Sequence, residues 1–158
     1  MPRISPFLWF DTNAEEAANF YCSVFKNSRI LSTTRYLEGA PVPAGTALVV
    51  EFELDGQKFF ALNGGPQFKF TEAISFTITT ETQEETDYYW NKLTSSGGQE
   101  SMCGWLKDRF GLSWQVTPRI LSEYIADKDK ARAQRVFNVM MQMKKVEIAT
   151  LQRAYDGK

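Results

Sequence analysis

An α+β fold made of two tandem β-α-β-β-β modules, with helices after them, is what the amino-acid sequence predicts, and three observations predict it. A shift of 69 positions lays Ile74 to Thr79 on Ser5 to Phe10, Glu84-Glu85 on Glu15-Glu16, and Tyr89-Trp90 on Phe20-Tyr21. In each copy a strand-like apolar run leads into a helix-start signal with carboxylates three residues on. After each helix come short strand candidates set off by glycine turns, so the unit repeats in kind as well as in position.

The first module opens with the strand candidate "SPFLWF" (5–10) and then "DTNAEEAANFYCSVF", a helix starting at Thr12 or Asn13 with Glu15 and Glu16 as capping-box partners. Ala17, Phe20, Tyr21, Val24 and Phe25 form its apolar face. Strand candidates follow at 28–37, 46–54 and 57–63, the last two joined by the hairpin signal Asp55-Gly56. "NGGP" (63–66) reads as a turn between modules and not as a phosphate loop, because no strand and helix bracket it. In the second module Ile74 to Thr79 is the first strand, Thr82 and Glu85 supply a second capping box, and Ser95-Ser96-Gly97-Gly98 ends the helix. Strand candidates near 99–102, 103–108 and 112–118 complete it. Three helical stretches follow, with Val136, Phe137, Met140 and Met141 as an apolar stripe that packs either on this chain's own sheet or on a second copy. The domain boundaries expected are 1–118 for the doubled part, with modules of about 1–66 and 67–118, and 119–158 for the helical extension.

Lys+Arg 18 against Asp+Glu 19 leaves a net charge of -1, which argues against nucleic acid and anionic membrane as partners. The acids Asp127, Asp129 and Glu147 likewise dilute the basic residues around the C-terminal stripe. The start lacks a secretory leader pattern and no apolar run reaches membrane-span length, so a cytoplasmic location is expected. Cys22 and Cys103 have no CxxC partner and read as reduced thiols. Asp108 and Arg109 occupy a turn, where a structural role is expected.

On the stretches "FLWFDTNAEEAANFY", "VEFELDGQKFFALNGGPQFKF" and "CGWLKDRFGLSWQVTPR", the chain resembles the PhnB-like family, often labelled demethylubiquinone 3-methyltransferase. That family lies within the vicinal oxygen chelate superfamily of glyoxalase I, extradiol dioxygenases and bleomycin-resistance proteins. The resemblance covers roughly residues 3–119. It implies that each module curls its sheet into half of a cup, that paired modules form a homodimer, and that catalytic relatives hold a divalent metal on four side chains. Carried onto this chain, the four positions become Pro6, Phe60, Ser75 and Gln115.

Only Gln115 among them is a plausible ligand, and the chain has no histidine, so no metal or other cofactor is expected. A cup remains. Strand alternation puts Ser75, Thr77, Thr79, Gln115 and Thr117 on one face, with Ile74, Phe76 and Ile78 towards the helix, while Leu8 and Phe10 are expected on the cup side with Pro6. Across the Asp55-Gly56 hairpin, Glu51 should face Phe60 and Glu53 should face Lys58. The expected ligand-binding residues are therefore Phe60, Ser75, Thr77 and Gln115, with Glu51 as a speculative catalytic base whose pKa burial would raise. Two functions stay open: a metal-independent binder of a small organic molecule, or an enzyme of unknown substrate. Gln115, Ser75 and Thr77 satisfying one another in a collapsed cup is the alternative to both. The side taken by Trp105 is open because the loop around Phe110-Gly111 leaves its parity undetermined.

Overall fold

A computed structural model describes residues 4–158. The chain forms two compact units, 1–70 and 71–158, each with one four-stranded mixed sheet.

The first unit contains β1 (Phe7–Phe10), α1 (Ala14–Val24), β2 (Arg29–Arg35), β3 (Ala47–Leu54) and β4 (Gln57–Asn63), with sheet order β1-β4-β3-β2. Asp55 and Gly56 both take left-handed backbone angles (φ 45 and 82), as a two-residue hairpin requires. The resulting register pairs Glu51 with Phe60 and Glu53 with Lys58. Val50, Phe52, Leu54, Phe59 and Ala61 are buried on one face. Ala14, Ala17, Ala18, Tyr21 and Val24 of α1 are buried too, and the Tyr21, Phe52 and Phe59 rings stack in sequence at 6.3 and 5.4 Å.

Two expectations for this unit are corrected. Leu8 and Phe10 are buried with the helix-side core and do not line the cup face. The parallel pairing Phe7↔Phe60 instead puts Phe7, and with it Trp9, on the face of Phe60. The first capping box does not form either: Asn13 is the N-cap residue but its side chain makes no cap bond. The Ala14 N–H donates to the Asn63 Oδ1 (2.8 Å) at the end of β4, so the helix is capped from the sheet.

The second unit contains β5 (Ser75–Thr80), α2 (Gln83–Thr94), β6 (Gln99–Glu100), β7 (Trp105–Lys107) and β8 (Ser113–Pro118), in sheet order β5-β8-β7-β6. Here the cap does form, the Glu85 N–H donating to Thr82 Oγ1 at 3.2 Å. The Glu85 carboxylate reaches back to the Glu81 N–H (2.8 Å), one residue before the usual partner. Leu106, Trp114 and Val116 are buried on one sheet face, as are Trp90 and Leu93 of α2. Phe76 and Ile78 are half-buried, and Phe76 packs on Trp114 at 5.6 Å. Ile74 precedes the strand and is 69% exposed, contrary to the helix-side position expected for it.

Helices α3 (Arg119–Ile125), α4 (Lys130–Met140) and α5 (Ile148–Asp156) belong to the same unit and share a core of Leu121, Tyr124, Val136, Val146, Leu151 and Ala154. The C-terminal stripe therefore divides: Val136 is fully buried in that core, whereas Phe137 and Met141 are 42% and 50% exposed. Gln83 ties α2 to the extension, accepting from the Ile148 N–H (2.8 Å) and donating to the Val146 carbonyl (3.1 Å). Among the described residues no helix is long and apolar enough to cross a membrane.

Candidate functional site

The residues expected to bind or react fall into two groups, one in each unit. In the first, Glu51 and Phe60 are cross-strand partners on the sheet face away from α1. Glu51 does not stand alone there. Its Oε1 pairs with the Lys58 ammonium and its Oε2 accepts from the Ser32 hydroxyl at 3.2 Å. Lys58 also lies over the Phe60 ring, 6.0 Å from its centroid, and Phe7 stacks on Phe60 at 5.4 Å. The hydrogen bond and charge of Lys58 hold the Glu51 carboxyl below the usual carboxylate range, and Ser32 adds to this. The upward shift expected of a buried general base is thus reversed, because the hydrogen bond and charge of Lys58 outweigh the desolvation of the carboxylate.

In the second unit Thr77 is the cross-strand partner of Gln115, and the Gln115 Nε2 donates to Ser75 Oγ at 2.9 Å. Trp105 is the Gln115 partner on the other side, which resolves its parity: it shares the Gln115 face, and Leu106 takes the helix side opposite Trp114. A pair of left-handed residues, Cys103 (φ 60) and Gly104 (φ 82), introduces this strand. A Cβ on Gly104 would lie 2.7 Å from the Val116 carbonyl oxygen, so only glycine fits there. The Cys103 and Gly104 N–H groups donate to the carbonyls of Met143 and Lys144, both at 2.7 Å.

Gln115, Trp105, Thr117 and Cys103 border a cavity of about 420 Å³ whose far side is made by Leu121, Ser122 and Ile125 of α3, by Ala126 just after it and by Met140. Among the described residues no charged side chain lines it. Thr77 and Ser75 stand beside this lining and not in it, with Thr77 exposed. A second, wider cavity of about 640 Å³ in the first unit is bordered by Phe7, Phe60, Lys58 and Glu53. Asp108 proves to be a structural carboxylate, buried at 3% exposure and bonded to its own turn and to the Trp114 indole of β8.

The four positions at which the resemblance implies metal ligands do not fit one. The Pro6 carbonyl accepts from the Phe60 N–H (3.0 Å), Phe60 offers a ring beside an ammonium, and the Ser75 hydroxyl is engaged with Gln115. Divalent transition ions select imidazole, carboxylate or thiolate donors, which these positions lack. Among the described residues no group of three or more His, Cys, Asp or Glu side chains is placed to hold a metal ion.

Sequence reasoning missed Lys58 as the partner of Glu51, although the hairpin register puts it diagonally opposite, within reach of a long side chain. It also missed the helical wall of the cavity, for which no local signal exists.

Comparisons with known proteins agree with this architecture. The family described as 3-demethylubiquinone-9 3-methyltransferase matches residues 2–117. A PhnB protein from Bacillus cereus is similar at 40% identity and a TM-score of 0.68, covering 74% of this chain and 99% of its own. Protein PA1353 from Pseudomonas aeruginosa shares the fold at 20% identity and a TM-score of 0.61, covering 75% of this chain and 98% of its own. The fosfomycin resistance protein FosX from Listeria monocytogenes shares it at 15% identity and a TM-score of 0.52, over 78% of this chain and 97% of its own. No curated protein matches the chain.

Proposed function

Because the chain belongs to the 3-demethylubiquinone-9 3-methyltransferase family and has its glyoxalase-like fold, we propose that it binds a small organic molecule without the help of a metal. The observation that carries this reading is the uncharged cavity beside Gln115, whose carboxamide is held in place by Ser75 and which combines an aromatic ring, aliphatic surface and a few polar groups. Ser75, Thr77 and Gln115 are the residues to which we assign contact with that molecule, and Phe60 beside Glu51 is a separate candidate binding face on the first sheet. Glu51 serves in this reading as the partner of Lys58. A carboxylate held below its usual range is a weaker base, so general-base catalysis is the less favoured role.

The methyl transfer in the family's name is not part of the proposal. Both sheets are four-stranded and mixed, unlike the doubly wound parallel sheet with a glycine-rich first turn that holds a nucleotide cofactor. The test is a thermal-shift screen against divalent metals and a metabolite library that includes quinones, phosphonates and S-adenosylmethionine. A ligand at a hundredfold excess over Kd stabilises its protein by about 2.7 kcal/mol. An organic hit that survives chelator, weakens with Gln115→Leu and is indifferent to Glu51→Gln is the expected result. A metal hit reversed by chelator, or turnover lost in Glu51→Gln, overturns the reading.

We further propose a homodimer, as the paired-module resemblance implies. Sedimentation velocity at micromolar concentration should give a mass near twice 18.1 kDa, and a monomer peak would count against it.

A further inference from the structure

The cavity of the second unit has two walls of different origin. Trp105, Gln115 and Thr117 belong to the sheet, within the stretch that the family match covers. Leu121, Ile125 and Met140 lie beyond residue 117, where that match ends. We propose that the C-terminal helices are a specificity element, which makes the Gln115 face a site for a neutral, flat, mostly apolar molecule carrying one hydroxyl or amide N–H. This rests on the small-molecule reading above and adds to it the ligand's class and the wall that selects it.

Three features define the class. Among the described residues the lining has no charged side chain, so an ion entering it loses hydration without gaining a partner. The Trp105 ring on one side and Leu121, Ile125 and Met140 on the other give a flat apolar molecule two surfaces to touch, and the thioether of Met140 adapts to its outline. Gln115 supplies the polar contact. Its Nε2 is engaged with Ser75, and among the described residues no donor meets its Oε1. A ligand hydroxyl or N–H completes that acceptor, an unsubstituted ring leaves it bare, and a carboxylate opposes it with a second acceptor. The volume of about 420 Å³ is within the range of ordinary small-molecule sites.

Cys103 on the cavity border makes the site observable. Cys22 is the other cysteine and sits in α1, so a Cys22→Ser protein has one thiol. The experiment measures the rate at which neutral monobromobimane labels Cys103 in that protein, with 1-naphthol, naphthalene or 1-naphthoate present. 1-Naphthol should slow labelling at least fivefold at saturation and bind at least tenfold more tightly than 1-naphthoate. Ile125→Arg, at a position already 37% exposed, should weaken 1-naphthol at least tenfold. Ser122→Phe, which fills the cavity from an exposed position, should do the same if the arginine variant melts early. Gln115→Leu should erase the preference for 1-naphthol over naphthalene while naphthalene still protects.

The proposal is overturned if 1-naphthol gives no protection up to its solubility, if 1-naphthoate protects equally, or if folded Ile125→Arg and Ser122→Phe proteins bind as before. Should a hit from the metabolite screen depend on Gln115 but not on Ile125 or Ser122, the helical wall falls and the small-molecule reading stands. Should no screened molecule respond to any of the three positions, both fall.

Discussion

Asp108→Ala should cost the second unit about 3–5 kcal/mol, a loss comparable with the whole stability of a marginal domain. The carboxylate is buried at 3% exposure and organises the turn between β7 and β8. Its Oδ1 accepts from the N–H groups of Phe110 (2.9 Å) and Leu112 (3.1 Å), and its Oδ2 from the Trp114 indole N–H (2.8 Å). Alanine leaves three donors without a partner, two backbone and one aromatic, in a space too closed for each to find water. Asp108→Asn is the sharper test, since it keeps the shape but turns an NH2 group towards at least one of the donors. It should still lose about 2 kcal/mol or more, because two donors then face each other. Urea denaturation followed by tryptophan fluorescence reads both effects, with a lower midpoint at unchanged slope. A loss below about 1 kcal/mol for the alanine variant would show that the turn holds without its carboxylate. The same turn sets the register Trp105↔Gln115, so cavity binding should fail with it.

What was legible in the sequence follows from which features are local. The Asp55-Gly56 hairpin is legible because two left-handed residues admit few other amino acids, and once it is placed the register Glu51↔Phe60 follows by counting. The second capping box is legible for the same reason. Face assignment in β1 is not, because Phe7, Leu8, Trp9 and Phe10 are all apolar and the two-residue period carries no polar mark. Only the parallel pairing with β4 decides it. On β8 the polar row Ser113, Gln115 and Thr117 does carry the mark, and the faces there read correctly. The pKa direction at Glu51 failed for a related reason: burial was inferred from the strand face, while the deciding neighbour, Lys58, lies on a diagonal. The helical wall beside Gln115 is the least legible part. Amphipathic spacing says that a face of α3 or α4 is apolar, but not which sheet face it meets or how much space it leaves.

Asn63 ends β4 at 6% exposure, and the second large effect is expected there. The sequence reads it as the first residue of a turn, yet its side chain and carbonyl together join three other segments of the first unit to β4. Its Oδ1 accepts from the Ala14 N–H at the start of α1 (2.8 Å), its Nδ2 donates to the Ala47 carbonyl at the start of β3 (2.9 Å), and its own carbonyl accepts from the Tyr36 hydroxyl (2.8 Å). Asn63→Leu should therefore cost about 2–4 kcal/mol, since a buried N–H and a buried carbonyl both lose their partners. Asn63→Asp should behave differently with pH. Ionised, the new carboxylate still caps α1 but opposes the Ala47 carbonyl with an oxygen. Protonated, it can donate to that carbonyl and restore the pattern. Its folded-state pKa is thus expected above its unfolded value, so the stability it contributes is present at low pH and lost as pH rises through the folded-state value. Wild-type protein has no such step at this position, and a difference between the two urea midpoints that grows from acid to neutral pH is the signature. An Asn63→Asp protein as stable as wild type at neutral pH would refute the assignment of Nδ2 to Ala47. Confirmation would show that α1 is held on one face of the first sheet by a side chain of the sheet itself, while Phe60, Phe7 and the Glu51–Lys58 pair lie on the opposite face.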